Sequence, residues 1–421
     1  MKNIPVLLVR AEGRDNGDKV LPFGLLSMAA YLGARGVEVA VIDRNKRRQP
    51  ISQLVSNIKK MAPKVVGISA LSSQARDALL LGRALKKCLP SRIVYGGQHF
   101  TAFPQEGLEA GDAVVRNDGE TAFLRICSMD AENIGGVYEG EPLSSLDEIA
   151  LPPDGMLKEL HDRGDDFVLM TSRGCYFNCI FCKKRDHDNK VRYHSMDYAF
   201  GYMEKMKRLF GIRTCFIADD IFTVDKSRVM QFCEEARRRD VGLEFTCFTH
   251  ANINDMEMYR AMKGAGFREV QIGVESGNDG ILKLLNKKQT AEDCVRTIEA
   301  VKEAGLSPVP LFMIGNIGET RETIEDTIRL AVRLRKTCDY GWVSYAQPFP
   351  GTTFYDVAAA YGKLVNDDPT TYWNTRLTFV PAGLSARETE RLFAVLRKVL
   401  QQTKAPFIER VKRKLRAFNR V

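Results

Sequence analysis

The sequence predicts an α/β protein in which a doubly wound parallel sheet precedes a partial barrel. Three observations carry this. Strand-like and helix-like segments alternate along both halves of the chain, a Gly-, Pro- and acid-rich stretch separates the halves, and 421 residues are too many for one ordinary core.

In the first half the strand candidates are VLLVR, VEVAVID, VVGISAL, RIVYGG and AVVR, separated by helical stretches such as LPFGLLSMAAYLGARG, Ile51–Met61 and ALLLGRALKKCL. Strands joined by helices require parallel crossovers, so helices should cover both faces of one sheet over residues 1–134. The run GGVYEGEPLSSLDEIALPPDG breaks the periodicity and reads as a linker over 135–160. Alternation then resumes in FVLMTSRG, TCFIADD, LEFTCFTHAN, EVQIGVESG, SPVPLFMIG and YGWVSYAQPFPG. Six strand-helix units predict a partial barrel over 161–363, with its chemistry at the C-terminal strand ends. The mixed remainder, 364–421, is expected to cap the barrel or contact substrate.

Composition supports a folded protein: 44% of residues are hydrophobic and 27% charged, with no low-complexity run. The opening MKNIPVLLVRAEGRD runs into charges too soon for a signal peptide, and no apolar stretch is long enough to span a bilayer, so a cytoplasmic location is expected. Much of the net charge of +9 lies in KAPFIERVKRKLRAFNRV. A solvated basic helix explains this better than a nucleic-acid site, while Phe407, Val411, Leu415 and Phe418 on one side leave open a peripheral membrane contact.

Of ten cysteines, Cys88, Cys127, Cys215, Cys233, Cys294 and Cys338 sit singly in apolar or helical surroundings and read as small hydrophobes. In TSRGCYFNCIFC, by contrast, Cys175, Cys179 and Cys182 fall at C-x3-C-x2-C, in a loop just after a strand. Thiolates are the ligands of iron-sulfur clusters, and three of them leave one iron of a four-iron cluster open to substrate. The alternative is a zinc site, for which His187 or His194 would supply a fourth ligand.

This segment resembles the radical S-adenosylmethionine (SAM) superfamily, whose C-x3-C-x-aromatic-C motif takes Phe181 as its aromatic residue. The resemblance spans about 167 to 362. It implies a [4Fe-4S] cluster on the three cysteines, chelation of SAM at the open iron, reductive cleavage to a 5'-deoxyadenosyl radical, and an electron donor such as flavodoxin or ferredoxin. It further implies that Asp219 and Asp220 in IADDIF stand where the family binds the methionine amino group, although the family's Gly-Gly-Glu is absent. Either could instead be a turn or capping residue. Glu275 and Ser276 in IGVESG correspond to the site for ribose hydroxyls and methionine carboxylate, or form an ordinary strand-to-helix turn. Gly315 in FMIGNIGET corresponds to the adenine-stacking segment, and Pro350 and Gly351 in QPFPGT to the sixth-strand loop.

The first-half strand ends GISALSSQ, YGGQHFTAFP and VRNDGE are small and polar, which suits close approach of a ligand beyond the carboxyl edge of a sheet. With PFGLLSMAAYL they resemble the cobalamin-binding domain of one large radical SAM class, over about residues 3 to 130. Asp43 is followed by Arg44, Asn45 and Lys46, so the D-x-H-x-x-G histidine is missing and base-off cobalamin without a histidine ligand is implied. Ser69, Leu71, Ser72 and Gln74 would face the corrin, with Gly67, Gly96 and Gly97 close by. His99 either touches the cofactor's edge or is a satisfied histidine.

Two such cofactors together point to C-methylation of an unactivated carbon in a small molecule or peptide. Alternatives are a cobalamin-dependent radical cyclase, ring-contracting or oxidative enzyme, or a cobalamin carrier or sensor without catalysis.

Overall fold

A computed structural model describes residues 5–13, 21–161, 166–183, 190–372 and 374–401. Six strands form the first sheet: β1 (Val6–Arg10), β2 (Val39–Asp43), β3 (Val65–Ser69), β4 (Arg92–Gly96), β5 (Ala113–Arg116) and β6 (Gly136–Glu139). Their order is β2-β1-β3-β4-β5-β6 and all pairings are parallel. The chain reverses its direction of winding between β1 and β3, and ligands of doubly wound sheets bind outside the strand ends at such a point. One apolar core lies on each face of this sheet, around Leu7, Ile68 and Tyr95 on one side and Leu8, Val94 and Phe123 on the other.

The segment read as a linker is not simply one. Residues 136–139 form the edge strand β6, whose Val137 pairs with Val114, and Asp154–Leu160 is a helix with buried Leu157 and Leu160. Gly and Pro there mark turns between short elements, and β6, exposed at three of its four positions, lacks the apolar run that reveals the equally short β5.

β7 (Asp166–Leu169) begins the second sheet. A short antiparallel pair follows, β8 (Ser172–Arg173) with β9 (Arg192–Tyr193). Then come β10 (Thr214–Ile217), β11 (Glu244–His250), β12 (Phe267–Glu275), β13 (Ser307–Ile314) and β14 (Trp342–Tyr345). The order β14-β13-β12-β11-β10-β7 is sequential and wholly parallel, a curled half-barrel. Its helices start at local signals: the side chains of Ser195, Asp225, Asp255, Thr290, Thr320 and Thr352 each accept a backbone N–H in the first helical turn. The register of strand to helix is thereby repeated around the barrel.

After the barrel, β15 (Gly362–Leu364) pairs antiparallel with β16 (Phe379–Pro381), and the helix Ala386–Gln401 packs on the second core through Phe393, Leu396 and Val399. Leu21 and Leu26, from the N-terminal part, belong to that same core, so the two sheets are joined by apolar packing. Among the described residues no helix is long and apolar enough to cross a membrane. The basic C-terminal segment and His187 lie outside the described residues. Of the six cysteines read as small hydrophobes, Cys215, Cys233, Cys294 and Cys338 are buried, Cys127 is half-buried, and Cys88 is exposed at a helix end.

Candidate functional site

The cysteine loop leaves β7 and is held against four strand ends in turn. Asp219, at the end of β10, is buried and accepts three hydrogen bonds: from Thr171 N at 2.6 Å, Thr171 Oγ1 at 2.6 Å and Ser172 N at 3.0 Å. Phe177 stacks on His250 at the end of β11, centroids 3.9 Å apart. Beyond β12, Leu285 O accepts from Ile180 N at 3.1 Å and Asn286 Nδ2 donates to Asn178 O at 2.7 Å. After β14, Phe354 N donates to Ile180 O at 2.9 Å. Apart from the ring stacking, each of these anchors satisfies at least one backbone group that a free loop would give to water.

Burial opposes ionisation of Cys179 and Cys182, and so does the charge of nearby thiols: Cys175 acts on Cys179, and both Cys179 and Cys175 act on Cys182. Loading a cluster must therefore release protons from this loop. Among the described residues no three His, Cys, Asp or Glu side chains converge on a single metal ion. A cluster brings its own bridging sulfides and takes three thiolates from one loop. His194, the candidate zinc ligand, is tied through Nδ1 to Asp147 Oδ1 at 3.2 Å and stacks on Tyr198; burial drops its pKa to about 4.

Asp219 is therefore a clamp on the loop, with both oxygens engaged, and not a free acceptor for an amino group. Its neighbour Asp220 is exposed and close enough to Cys182 to raise that thiol's pKa. Of the acidic pair, only Asp220 stays open to a cationic ligand beside the cysteines.

Glu275 sits at a bulge in β12, at φ +63°, a conformation that non-glycine residues rarely adopt. Its Oε1 accepts from Lys287 Nζ at 2.8 Å, and both side chains are at most 10% exposed. Lys287 was not singled out from the sequence. Burial disfavours its charge, but Glu275 and Cys179 outweigh that and hold the ammonium above its usual pKa. Its Nζ also lies 5.9 Å from the Phe181 ring centre. Gly273 makes the pair possible, since a Cβ there would fall 2.6 Å from Glu275 Oε1 and 2.8 Å from Lys287 Nζ.

Ser276 is fully buried, 3.2 Å from Thr327 Oγ1, and accepts from Asn278 N at 3.2 Å. It serves the turn into the helix Asp279–Leu284 and is closed to a methionine carboxylate. At the end of β13, Gly315 N and Asn316 N donate to Glu319 Oε2 at 2.8 and 3.0 Å. Full burial pushes Glu319 up to about 7 against these hydrogen bonds. Glu319 was also missed; a Glu five residues past a strand end carries no distinctive pattern.

A cavity of about 380 Å³ opens at the switch point of the first sheet. Its floor is apolar, including Leu8, Met28, Val94, Val115 and Phe123, and its rim carries Ser69, Leu71, Gln74, Gly96, Gly97 and Asn117. An apolar floor with a polar rim suits a large ring system edged with amides. Gly97 has φ +89°, and a Cβ there would lie 2.8 Å from Ala70 O and Ser69 Oγ, so the rim narrows only because that residue lacks a side chain. Two expected residues are not on this wall. His99 is buried, with Nδ1 3.3 Å from Ser72 Oγ and Nε2 3.2 Å from Glu106 Oε2, and Ser72 is turned toward it. Asp43 grips Arg10 at 2.8 and 2.7 Å, and Arg44 grips Asp77 at 2.8 Å twice, so the stretch that lacks a histidine is filled with ion pairs.

The opposite wall comes from the barrel: Leu169, Met170, Arg173, Lys183, His194, Tyr198 and Tyr202. The cavity and the cysteine loop thus share a boundary.

A radical SAM superfamily model matches residues 169–331, and a B12 binding domain model matches residues 14–126. The chain is 29% identical to an uncharacterized methyltransferase of Pyrococcus horikoshii, covering 94% of this chain and 92% of that one. It is 24% identical to an anaerobic magnesium-protoporphyrin IX monomethyl ester cyclase of Rubrivivax gelatinosus, over 74% of this chain and 61% of the cyclase. Its fold matches TsrM, a radical SAM methyltransferase of Kitasatospora setae solved with tryptophan substrate and a SAM analogue, at TM-score 0.72 and 18% identity, covering 93% and 88% of the two chains.

Each family model falls on one of the two sheets described above, so the chain pairs a site for a SAM-binding cluster with one for cobalamin. The chain carries a radical SAM domain and a B12-binding domain and is methyltransferase-like. Its cofactors are a [4Fe-4S] cluster, SAM and cobalamin.

Proposed function

We propose that the chain methylates an unactivated carbon of a small molecule or peptide. The observation that carries this is the shared boundary: residues flanking the cysteine loop, Met170, Arg173 and Lys183, line the cavity at the first sheet's switch point. When bound, the cluster with SAM supplies a carbon-centred radical and cobalamin supplies a methyl group. What the chain does is place both at one substrate atom, and such placement accounts for much of an enzyme's rate enhancement.

In this proposal Cys175, Cys179 and Cys182 ligate the cluster. Asp220 accepts from the SAM ammonium, and the Glu275–Lys287 pair presents a carboxylate and an ammonium to its polar end. The backbone at Gly315, held by Glu319, lies along its adenine. Ser69, Leu71, Gln74, Gly96 and Gly97 meet the corrin. In this reading the first domain runs from residue 1 past 134 to take in β6 (Gly136–Glu139), the barrel occupies 161–363, and the remainder closes it.

The test is anaerobic incubation of the reconstituted protein with SAM, cobalamin and extract of its host. A product heavier by one methyl group supports the proposal. 5'-Deoxyadenosine release with no methylated product would favour the second reading, a cyclase, which rests on the match to the Rubrivivax gelatinosus enzyme. Release of no 5'-deoxyadenosine would favour the carrier or sensor reading.

A further inference from the structure

The cysteine loop is tethered at both ends to the rim of the other cofactor's cavity. Arg173, two residues before Cys175, sets Nη2 2.8 Å from Glu120 Oε1 and Nη1 3.8 Å from Asp118 Oδ1, with its side chain 10% exposed. Lys183, directly after Cys182, donates from Nζ to the carbonyl of Gln98. Glu120, Asp118 and Gln98 all line the cavity, as do Arg173 and Lys183 themselves. Arg192, from β9, adds a 2.5 Å contact to Asp118, and β9 is paired to the strand that bears Arg173.

We propose that Arg173 and Lys183 are positioning residues that couple occupancy of the cobalamin cavity to the geometry of the cysteine loop, so that each cofactor binds more tightly when the other is in place. The proposal rests on the two-cofactor reading and goes beyond it. Charge-assisted hydrogen bonds hold discrete geometries, and a ligand filling the cavity would exclude water from the ion pairs and strengthen them. A loop fixed at both ends loses less freedom when it closes on a cluster. By linkage, whatever cobalamin does for the cluster the cluster must do for cobalamin.

The experiment measures hydroxocobalamin affinity by equilibrium dialysis, using the full chain with and without its reconstituted cluster. In parallel it follows the rate at which an iron chelator strips the cluster, with and without hydroxocobalamin. The wild-type protein should bind hydroxocobalamin about tenfold more tightly with its cluster, and cobalamin should slow the loss of iron. In Arg173→Gln and Lys183→Met both cofactors should still bind, with the coupling factor reduced toward one. Equal hydroxocobalamin affinity with and without the cluster in wild type would overturn the proposal without any variant. So would full coupling in both variants, since cobalamin would then shield the cluster by coverage alone. Failure of wild type to bind hydroxocobalamin in either form would instead overturn the two-cofactor reading itself.

Discussion

Glu275 shows how much a single position depends on its surroundings. The sequence places it at a strand end near SAM, but the structure gives its carboxylate a buried partner in Lys287, 2.8 Å away. Removing one member of a buried ion pair leaves the other charge uncompensated, which costs about 3–5 kcal/mol. Glu275→Gln should therefore lower stability by that order in chemical denaturation, and adding Lys287→Met should restore most of the loss. If Glu275→Gln melts like wild type, the pair is not what holds this corner together. Gly273→Ala probes the same contact from the backbone side, because its Cβ would intrude on both charged groups. A loss of about 1–3 kcal/mol is expected, as for other overpacked sites.

At the scale of the element, the cysteine loop acts as a unit pinned at several points. Replacing Cys175, Cys179 and Cys182 together by Ala should abolish the absorbance of the reconstituted cluster while leaving the far-ultraviolet circular dichroism unchanged, since the loop's anchors are not cysteines. Retained four-iron absorbance would disprove the site. Asp219→Ala tests the clamp: it removes the acceptor for Thr171 and Ser172 but no ligand. We expect the variant to take up a full cluster and release its iron to a chelator about tenfold faster, as loss of the hydrogen bonds that support metal ligands typically does. An unchanged rate would show that the loop is fixed without Asp219.

Over the whole molecule, the two sheets meet at the cavity, and no residue in the stretch after Asp43 offers an imidazole to cobalt. Asp43 and Arg44 are instead committed to Arg10 and Asp77, His99 is bound to Ser72 and Glu106, and His194 on the barrel wall of the cavity is tied to Asp147. Electron paramagnetic resonance of the cob(II)alamin-loaded protein should therefore lack superhyperfine splitting from a nitrogen ligand. Splitting by such a nitrogen would contradict the base-off assignment.

Sequence alone determined what is local or periodic. Alternation of strands and helices revealed both sheets, because a side chain's period follows directly from backbone geometry. The three cysteines were legible because ligands from one loop must lie close together in sequence. Tertiary structure decided whatever depends on residues far apart in the chain. Asp219 and Asp220 are adjacent and chemically alike, yet one reaches Thr171 across 48 positions and is spent on the fold, while the other is exposed. Ser276 was lost to Thr327, His99 to Glu106, and Lys287 was gained by Glu275 through a turn that no spacing announces. Short β6 escaped because only Tyr138 of its four residues is buried, and its pairing with β5 alone makes it a strand. Burial and the meeting of distant strand ends decide which polar side chains remain available to a ligand, and neither is written in the order of residues.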